Sequence, residues 1–445
     1  MKPAVFSLGG LFRRLLLLGA VGLLVLYLLG ATAGYVWLHF VRHNARITFA
    51  DVAFFRVAAV RRDMAVEQFA AARRELAEKN IQAAFLNYST AVRNDPDNIP
   101  GRLEAVDFLL KVNAGNLAVG MLEDGLARTP DDPRLITRTF EFFTTTGRDA
   151  RVLDLLHGQL TSHFNGPNGP LLQTYEVLAT LNLSGAGAAK KLLDGYPALA
   201  NFPAAVPVVA RVWWESKDRL KAIGLLESYL VSGAGNYPLY AELAGWQQAS
   251  GLSAEAIRTA ERAGAQFPAE LEPRVLLIET LEASADLRAA AQAIESYLRD
   301  FSNRPEALLL LADSAGRHGQ MDLAFALYVT GASRQADLLP LALYFADALA
   351  RASRFEECRQ VLAQLEAQTP ENNTAFMVQL RQRQVIMAAA LNDPDNVHEY
   401  ARRLAAALRS SPDALESARR NFQKMGITGA VTELSGRAPA AAAAK

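Results

Sequence analysis

The sequence predicts an all-α protein, an array of stacked helix pairs preceded by a single membrane-spanning helix. Three observations point there. Beyond residue 64 apolar residues recur at i, i+3 and i+4, with almost no strand-like alternation. Clusters of Pro, Gly, Asn or Asp interrupt that pattern every 12–18 residues, the length of a short helix and its turn. Residues 15–41, LLLLGAVGLLVLYLLGATAGYVWLHFV, carry no formal charge apart from His39 when protonated.

Composition narrows the class. A chain of 445 residues is too long for one compact domain, so two or three domains or a repeat array is expected. With 51% apolar and 21% charged residues it is not a disordered chain. Net charge is zero but uneven: residues 1–63 hold 8 Lys/Arg against 2 Asp, and the remainder holds 38 basic against 44 acidic residues. That remainder shows no basic stripe, so no nucleic-acid partner is expected. The single cysteine, Cys358, rules out an internal disulfide framework and a cysteine-based zinc site. It lies between Phe355 and Val361 in a helical pattern and reads as a buried structural thiol. A chain without disulfides suits the cytosol and equally an envelope protein that does not need them.

From the N-terminus, residues 1–14 are a short basic segment with Lys2, Arg13 and Arg14. Residues 15–41 follow as a transmembrane signal-anchor helix, whose 27 residues cover roughly 40 Å at about 1.5 Å per residue. That exceeds the ~30 Å hydrocarbon core and leaves room for tilt. Tyr35, Trp37 and His39 sit toward its C-terminal end, where amphipathic rings favour the interface. A cleaved signal peptide is the rival reading, because Ala31-Thr32-Ala33 fits a small-x-small cleavage site. Against cleavage, YVWLHFV continues the apolar run past that site. Flanking positive charge is nearly balanced, with Lys2, Arg13 and Arg14 before the run and Arg42, Arg46 and Arg56 after it. A short N-terminus before a large body behaves as a signal anchor, which puts the body on the extracytoplasmic side of the inner (plasma) membrane; the cytoplasmic face is the alternative. Gly30 and Gly34 form a GxxxG that can bring two such helices together as a homodimer, although glycine is common in membrane helices generally. Residues 42–63 connect membrane and array, with FADVAFFRVAAV read as one amphipathic helix packing on the first pair. Repeats are expected in two blocks, 64–160 and 171–424, with TSHFNGPNGP (161–170) as a loop or hinge between them. Residues 425–445 form a C-terminal tail whose APAAAAAK end is of low complexity and reads as disordered.

Within the array one spacing returns. Ala84, Tyr88, Ala91 and Pro96 are separated by four, three and five residues, and Ala118, Leu122, Gly125 and Pro130 repeat that spacing 34 residues later. Ala256, Ala260, Ala263 and Pro268 repeat it again. From Pro268 the frame steps by 34 through Ser302 and Ala336 to Pro370, preceded by Ala290/Ile294/Tyr297, Ala324/Tyr328/Gly331 and Cys358/Leu362/Leu365. A last unit, Tyr400, Leu404, Ala407 and Pro412, follows an insertion of about eight residues. Val152, Leu156, Gln159 and Phe164 keep the frame without the proline, while Ala189/Leu193/Tyr196 and Ala222/Leu226/Tyr229 keep it with small shifts. About ten helix pairs result, from roughly residue 64 to 424. Small residues let paired helices approach, a large residue fills the gap, and Pro ends the helix.

These residues resemble the tetratricopeptide repeat family, whose 34-residue helix–turn–helix carries a small–large–small–Pro signature in its second helix. The first helix matches less: Tyr240, Leu243, Ala244, Gln247 and Leu308, Leu311, Ala312, Ala315 are its best approximations, and no unit keeps the family's Trp-x2-Leu-Gly-x2-Tyr. The resemblance implies a right-handed superhelical solenoid whose inner face is lined by first helices and binds protein partners. Placing the frame on that face implies a groove containing Asp107, Glu141, Arg211, Asp313 and Asp347, with Trp214, Arg317 and Arg351 nearby. Asp313/Arg317 and Asp347/Arg351 also read as i, i+4 surface ion pairs. The Lys and Asn residues with which some members clamp a peptide carboxylate are missing there, which disfavours a C-terminal-tail receptor. Of Trp213 and Trp214, adjacent on one helix, one is expected in the core and its neighbour toward the groove.

No catalytic constellation emerges: there is no phosphate loop, dinucleotide fingerprint, nucleophile elbow or H-E-x-x-H. His39 and His43 share a face without carboxylates beside them, and His157, His163 and His318 read as surface histidines. Asn87, Asn182 and Asn372 begin glycan-acceptor tripeptides, but Arg outnumbers Lys 37 to 9 in an Ala-rich chain, a bias of GC-rich bacterial genes. The expectation is therefore a membrane-anchored bacterial scaffold, non-enzymatic and without cofactor or metal, binding other proteins or peptides in assembly of an envelope, secretion or polysaccharide-export complex. A regulatory subunit that presents substrates to a separate enzyme, or a self-associating structural envelope protein, is the alternative.

Overall fold

The computed structural model describes residues 8–41, 46–54, 56–233, 235–333, 338–370, 372–409 and 411–436. They are helical with no strand among them. Helix α1 (Leu8–Val36) continues as a π-helical segment, Trp37–Val41, and is followed by the short α2 (Phe49–Ala53). Eleven helix pairs come next: α3 (Val57–Ala77) with α4 (Ile81–Asn94), α5 (Ile99–Lys111) with α6 (Gly115–Arg128), α7 (Pro133–Thr145) with α8 (Asp149–Gly158), and α9 (Gly169–Ser184) with α10 (Ala186–Gly195). Then come α11 (Val206–Glu215) with α12 (Arg219–Val231), α13 (Tyr237–Ala249) with α14 (Ser253–Gln266), α15 (Glu272–Ala283) with α16 (Leu287–Asp300), and α17 (Pro305–His318) with α18 (Met321–Ser333). The last are α19 (Leu338–Arg351) with α20 (Phe355–Gln368), α21 (Thr374–Ala390) with α22 (Pro394–Ala407), and α23 (Pro412–Lys424) with α24 (Thr428–Leu434). The chain divides into two compact units, Met1–Leu225 and Leu226–Lys445.

The repeat is most sharply marked in the backbone, at the turn inside each pair. One residue of that turn has positive φ in all eleven pairs: Lys79, Asn113, Gly147, Gly185, Lys217, Gly251, Ala285, Gly319, Ser353, Asn392 and Gly426. Eight of the ten steps between them equal or fall within two residues of 34; the exceptions are 147 to 185 and 353 to 392. In ten of the turns the next residue's N–H donates five residues back, as in Asn80 to Glu75 (2.8 Å), Ala114 to Leu109 (2.8 Å), Leu252 to Gln247 (2.8 Å) and Arg354 to Leu349 (2.9 Å). This is the Schellman closure, which satisfies a carbonyl left over at the first helix's end and reverses the chain in three residues. At the second-helix starts Asn80 and Asp286 accept from the N–H three residues on, and Asn98, Asp132 and Asn373 do the same at first-helix starts.

The expected packing residues lie where the spacing puts them. Ala84, Ala91, Ala118, Leu122, Ala256, Ala260, Ala263, Ala324, Cys358, Leu362 and Leu365 are buried, as are the first-helix residues Tyr240, Leu243, Ala244, Leu308, Leu311, Ala312 and Ala315. Two stretches depart from the frame. At the C-terminal end of α8, Gln159 is exposed, and Leu155 within the helix and Leu160 just beyond it fill the core instead. In α22 the buried residues are Val397, Ala401 and Leu404, with Leu408 just beyond the helix, while Tyr400 and Ala407 are not buried. The longer α21 (17 residues) absorbs an insertion that moves the turn from Ser353 to Asn392, so the last frame sits three residues earlier than the proline suggests.

FADVAFFRVAAV does not make one amphipathic helix. Thr48 caps α2 in a reciprocal capping box with Asp51, α2 ends at Ala53, and α3 starts at Val57, so the array begins ahead of residue 64. Residues 161–170 contain a 3-10 turn, Thr161–His163, inside the first unit. It is tied to the preceding pair by His163 Nδ1 to Asp131 (2.7 Å) and by Asn168 Nδ2 donating to the Asp131 carbonyl (2.6 Å).

Positive φ costs a residue with a Cβ roughly 1–2 kcal/mol, part of which glycine's larger unfolded-state entropy offsets. Ala285→Gly is expected to raise stability, and Gly251→Ala, which meets nothing within 4 Å, to lower it, each by about 0.5–1 kcal/mol. Opposite shifts of the urea midpoint at unchanged slope check this.

Candidate binding groove

Successive first helices are bridged by charge. In the first unit Arg73 of α3 donates to both carboxylate oxygens of Glu104 on α5 (2.7 and 2.6 Å), and the Tyr88 hydroxyl of α4 donates to the same group (2.8 Å). Asp107, also on α5, pairs with Arg138 of α7. In the second unit Arg317 of α17 reaches back to Glu279 of α15 (3.0 Å), which also accepts from the Ser314 hydroxyl (2.7 Å). Arg383 of α21 holds Asp347 of α19 through Nε and Nη2 (2.8 and 2.7 Å). A guanidinium fork on a carboxylate is the strongest form of such a pair.

The expected groove residues therefore fall into distinct settings. Asp107, Asp313, Arg317 and Asp347 all belong to these bridges; Arg317 also pairs with Asp313 one turn away (3.0 Å). The pairing expected between Asp347 and Arg351 is replaced: Asp347 is only partly exposed, toward α21, where Arg383 takes both its oxygens, and Arg351 stays exposed. Burial pushes the Asp347 carboxyl above its usual range, against the pull of Arg383. Glu141 is exposed on α7, its charge adding to the burial that raises the Tyr175 hydroxyl. Arg211 is half-buried on α11.

Half-buried Trp213 packs against the core cluster that contains Val208, Val209 and Val212, with the Lys221 ammonium 3.7 Å from its ring centroid. Half-buried Trp214 carries the Arg219 guanidinium over its face at 4.9 Å. Trp213 also lines a recess of about 300 Å³ with Tyr196, Leu199, Val206 and Val209.

A concave site does form on the first helices of the second unit. It has a volume of about 350 Å³, and α13, α15 and α17 line it. Leu276 and Leu310 make its apolar floor, and Tyr237, Glu272, Glu279, Arg317 and His318 its polar rim. Gln248 closes one wall by donating to the Thr280 carbonyl (3.0 Å) and Ser284 hydroxyl (2.9 Å). Burial, reinforced by Glu279 and Glu272, pushes the Tyr237 hydroxyl up to about 12, so it remains a hydrogen-bond donor at any physiological pH. Of the expected groove residues only Arg317 lines this site. Asp313 touches it through Arg317, Asp347 and Arg351 lie on α19, and Asp107, Glu141, Arg211 and Trp214 belong to the first unit. Glu279, on its rim, is a residue the frame itself locates, one 34-residue step before Asp313.

The remaining chemistry is structural. Cys358 is buried, its Sγ–H donates to the Ala346 carbonyl (3.2 Å), and burial pushes the thiol up to about 12. His157 meets Glu176 (2.7 Å), and the His318 ring meets the Ser314 carbonyl (2.9 Å). Among the described residues no three His, Cys, Asp or Glu side chains come together as a metal site; His43 lies outside them.

At the N-terminus, Leu17–Val41 is one helix long and apolar enough to cross a membrane. Gly34 faces the Val52 side chain of α2, where an added Cβ would sit 3.2 Å from it, while Gly30 has open space around it. The close-packed seam on this helix thus runs through Ala31 and Gly34 and is filled by the same chain.

No protein-family model matches the chain, and neither does any curated protein. Among solved structures, the chain is similar to one from a functional characterisation of Pseudomonas aeruginosa pilF, at 15% identity over 48% of this chain and 96% of that one, with a TM-score of 0.32. It is also similar to yeast Tom70, at 12% identity over 83% of this chain and 96% of that one, with a TM-score of 0.30.

The bridges predict a pH signature. Arg73 and Tyr88 hold the Glu104 carboxyl below its usual 4.5, so its stabilisation is complete above that value and is lost as pH falls through the lowered one. Glu104→Gln is expected to cost about 0.5–1 kcal/mol at pH 7, a value discounted for the exposure of Arg73, with the gap to wild type closing below pH 4.5. Urea midpoints across pH 3–8 measure it.

Proposed function

We propose that this chain is a membrane-tethered, non-enzymatic scaffold that binds partner proteins through its first-helix face, with the α13/α15/α17 groove as the principal contact. The observation that supports this most is the groove's make-up: an apolar floor of Leu276 and Leu310 beside a mixed rim of Glu272, Glu279, Arg317 and Tyr237. That arrangement suits a peptide segment with one apolar anchor and a neighbouring basic side chain. Helix α1 tethers the array to the inner membrane of a bacterial cell, with the body on the extracytoplasmic side, where the scaffold serves assembly of an envelope, secretion or export complex.

Two experiments bear on this reading. Proximity labelling from the full-length protein in its native membrane should recover a partner set that Glu272→Lys, a change at an exposed position, depletes several-fold without altering the melting temperature; an unchanged set removes the groove. For topology, Ser162→Cys in a Cys358→Ala background places the only thiol at an exposed loop position. Labelling by a membrane-impermeant maleimide in intact spheroplasts is expected, and labelling only after lysis would put the body in the cytoplasm.

A further inference from the structure

The segment after the apolar helix folds back along it. Phe49 meets the Tyr35 ring edge-on (centroids 6.1 Å apart), Val52 meets Gly34, and Ile47 is only 1% exposed. On α1 and its π-helical continuation, Ala31 is buried and Gly34, Tyr35, Leu38 and His39 are half-buried. They form a single face at i, i+3, i+4, i+7 and i+8, while the remaining positions from Leu17 to Val41 are exposed. So α2 does not simply lead away from the membrane; it lies beside the last turns of the helix that crosses it.

Length fixes the depth at which this happens. The 25 residues of Leu17–Val41 cover roughly 37 Å, about 7 Å more than the ~30 Å hydrocarbon core. Gly34 sits seven residues, roughly 10 Å, before Val41; with the excess at this end, the Gly34–Val52 contact lies a few ångströms inside the hydrocarbon edge and Trp37 lies at the boundary with the headgroups. At that level the fold-back presents large apolar side chains outward: Phe54 is 72% exposed, Val57 52% and Phe49 39%. Trp37 and Phe40 of the helix itself are also exposed beside it. Aromatic side chains at headgroup depth are stabilised there, whereas in water they would form a costly exposed patch.

Resting on the reading of α1 as a membrane span, we propose that the α1–α2 fold-back is a lipid-interface foot: Phe49, Phe54 and Val57 insert among the lipids next to the span. The occupant is the bilayer surface, because Phe49 joins the fold-back to the apolar belt of the span through its contact with Tyr35, and Phe54 and Val57 follow it in the chain with their side chains exposed. The foot fixes the height and tilt of α3, which starts at Val57, over the membrane, and a single-pass tether alone would leave both free.

The test uses the full chain in lipid nanodiscs, with Cys358→Ala and one new cysteine carrying an NBD fluorophore. Labels go at Trp37→Cys, Phe54→Cys and, as an aqueous reference, the exposed array position Leu117→Cys. The foot predicts blue-shifted emission at 37 and 54, most of it lost to a doxyl lipid labelled near the headgroup, and water-like, unquenched emission at 117. Quenching at 37 with water-like emission at 54 overturns the foot and leaves the span standing. No quenching at either position removes the span and the foot together. Efficient disulfide cross-linking between two unlabelled Phe54→Cys chains, together with an unquenched label at that position, also overturns it, by making a second copy the occupant.

Discussion

The constraint on which the rest of the fold depends is the three-residue reversal inside each helix pair. A residue with positive φ, followed in ten of eleven pairs by an N–H that donates five residues back, sets where the first helix stops and the angle at which the second returns. With that angle repeated, the small residues at Ala84, Ala118, Ala256 and Ala324 arrive opposite the first helix at the same height in each unit, and all four are fully buried. A helix of 12–14 residues is marginal alone; the fixed reversal lets each one bury a face against its partner and its neighbours.

That reversal also shows what the sequence conceals. The 34-residue frame is legible because burial demands small and large side chains at fixed spacing in the second helix. Four of the eleven turn residues are not, because Lys79, Lys217, Ala285 and Ser353 adopt a conformation that local propensity assigns to Gly or Asn. Tertiary packing of the paired helices outweighs a local cost of roughly 1–2 kcal/mol. The same competition explains α22, where Pro412 suggested one frame and the longer α21 imposed another. Arg102 is a further case. An arginine in a first helix is expected outside, yet it is 1% exposed, donating to the Met121 and Pro96 carbonyls (2.7 and 2.9 Å). Space for it exists because Gly125 has no side chain; a Cβ there would lie 2.6 Å from Arg102 Cδ. The pattern marked Gly125 as a small packing residue, but the group it admits comes from another helix and leaves no local periodic trace.

The groove was legible by column and illegible by partner. A 34-residue step connects Glu279, Asp313 and Asp347, and the frame places this column on the first-helix face. Which cation each carboxylate meets depends on residues 36 or 38 positions away, Arg383 for Asp347 and Arg317 for Glu279, and no periodicity specifies that. The exposed Arg317–Glu279 pair contributes only about 0–1 kcal/mol, so its larger consequence is electrostatic. Glu279 is neutralised by Arg317 and accepts from Ser314, and exposed Glu272 is the other carboxylate that lines the groove.

At the N-terminal end the same logic of small residues reaches a different result. Gly30 and Gly34 share a helix face with each other, but the covered face runs through Ala31, Gly34 and Leu38. A GxxxG pair admits a second helix only if both glycines are free to be approached. Here Gly30 is open but Val52 already lies against Gly34, so a partner helix packing on both glycines would meet the Val52 side chain. Close packing within the chain and close packing between two copies thus compete for one glycine. The fold-back starts with the advantage, since joining α2 to α1 through a short connection costs far less entropy than bringing two molecules together.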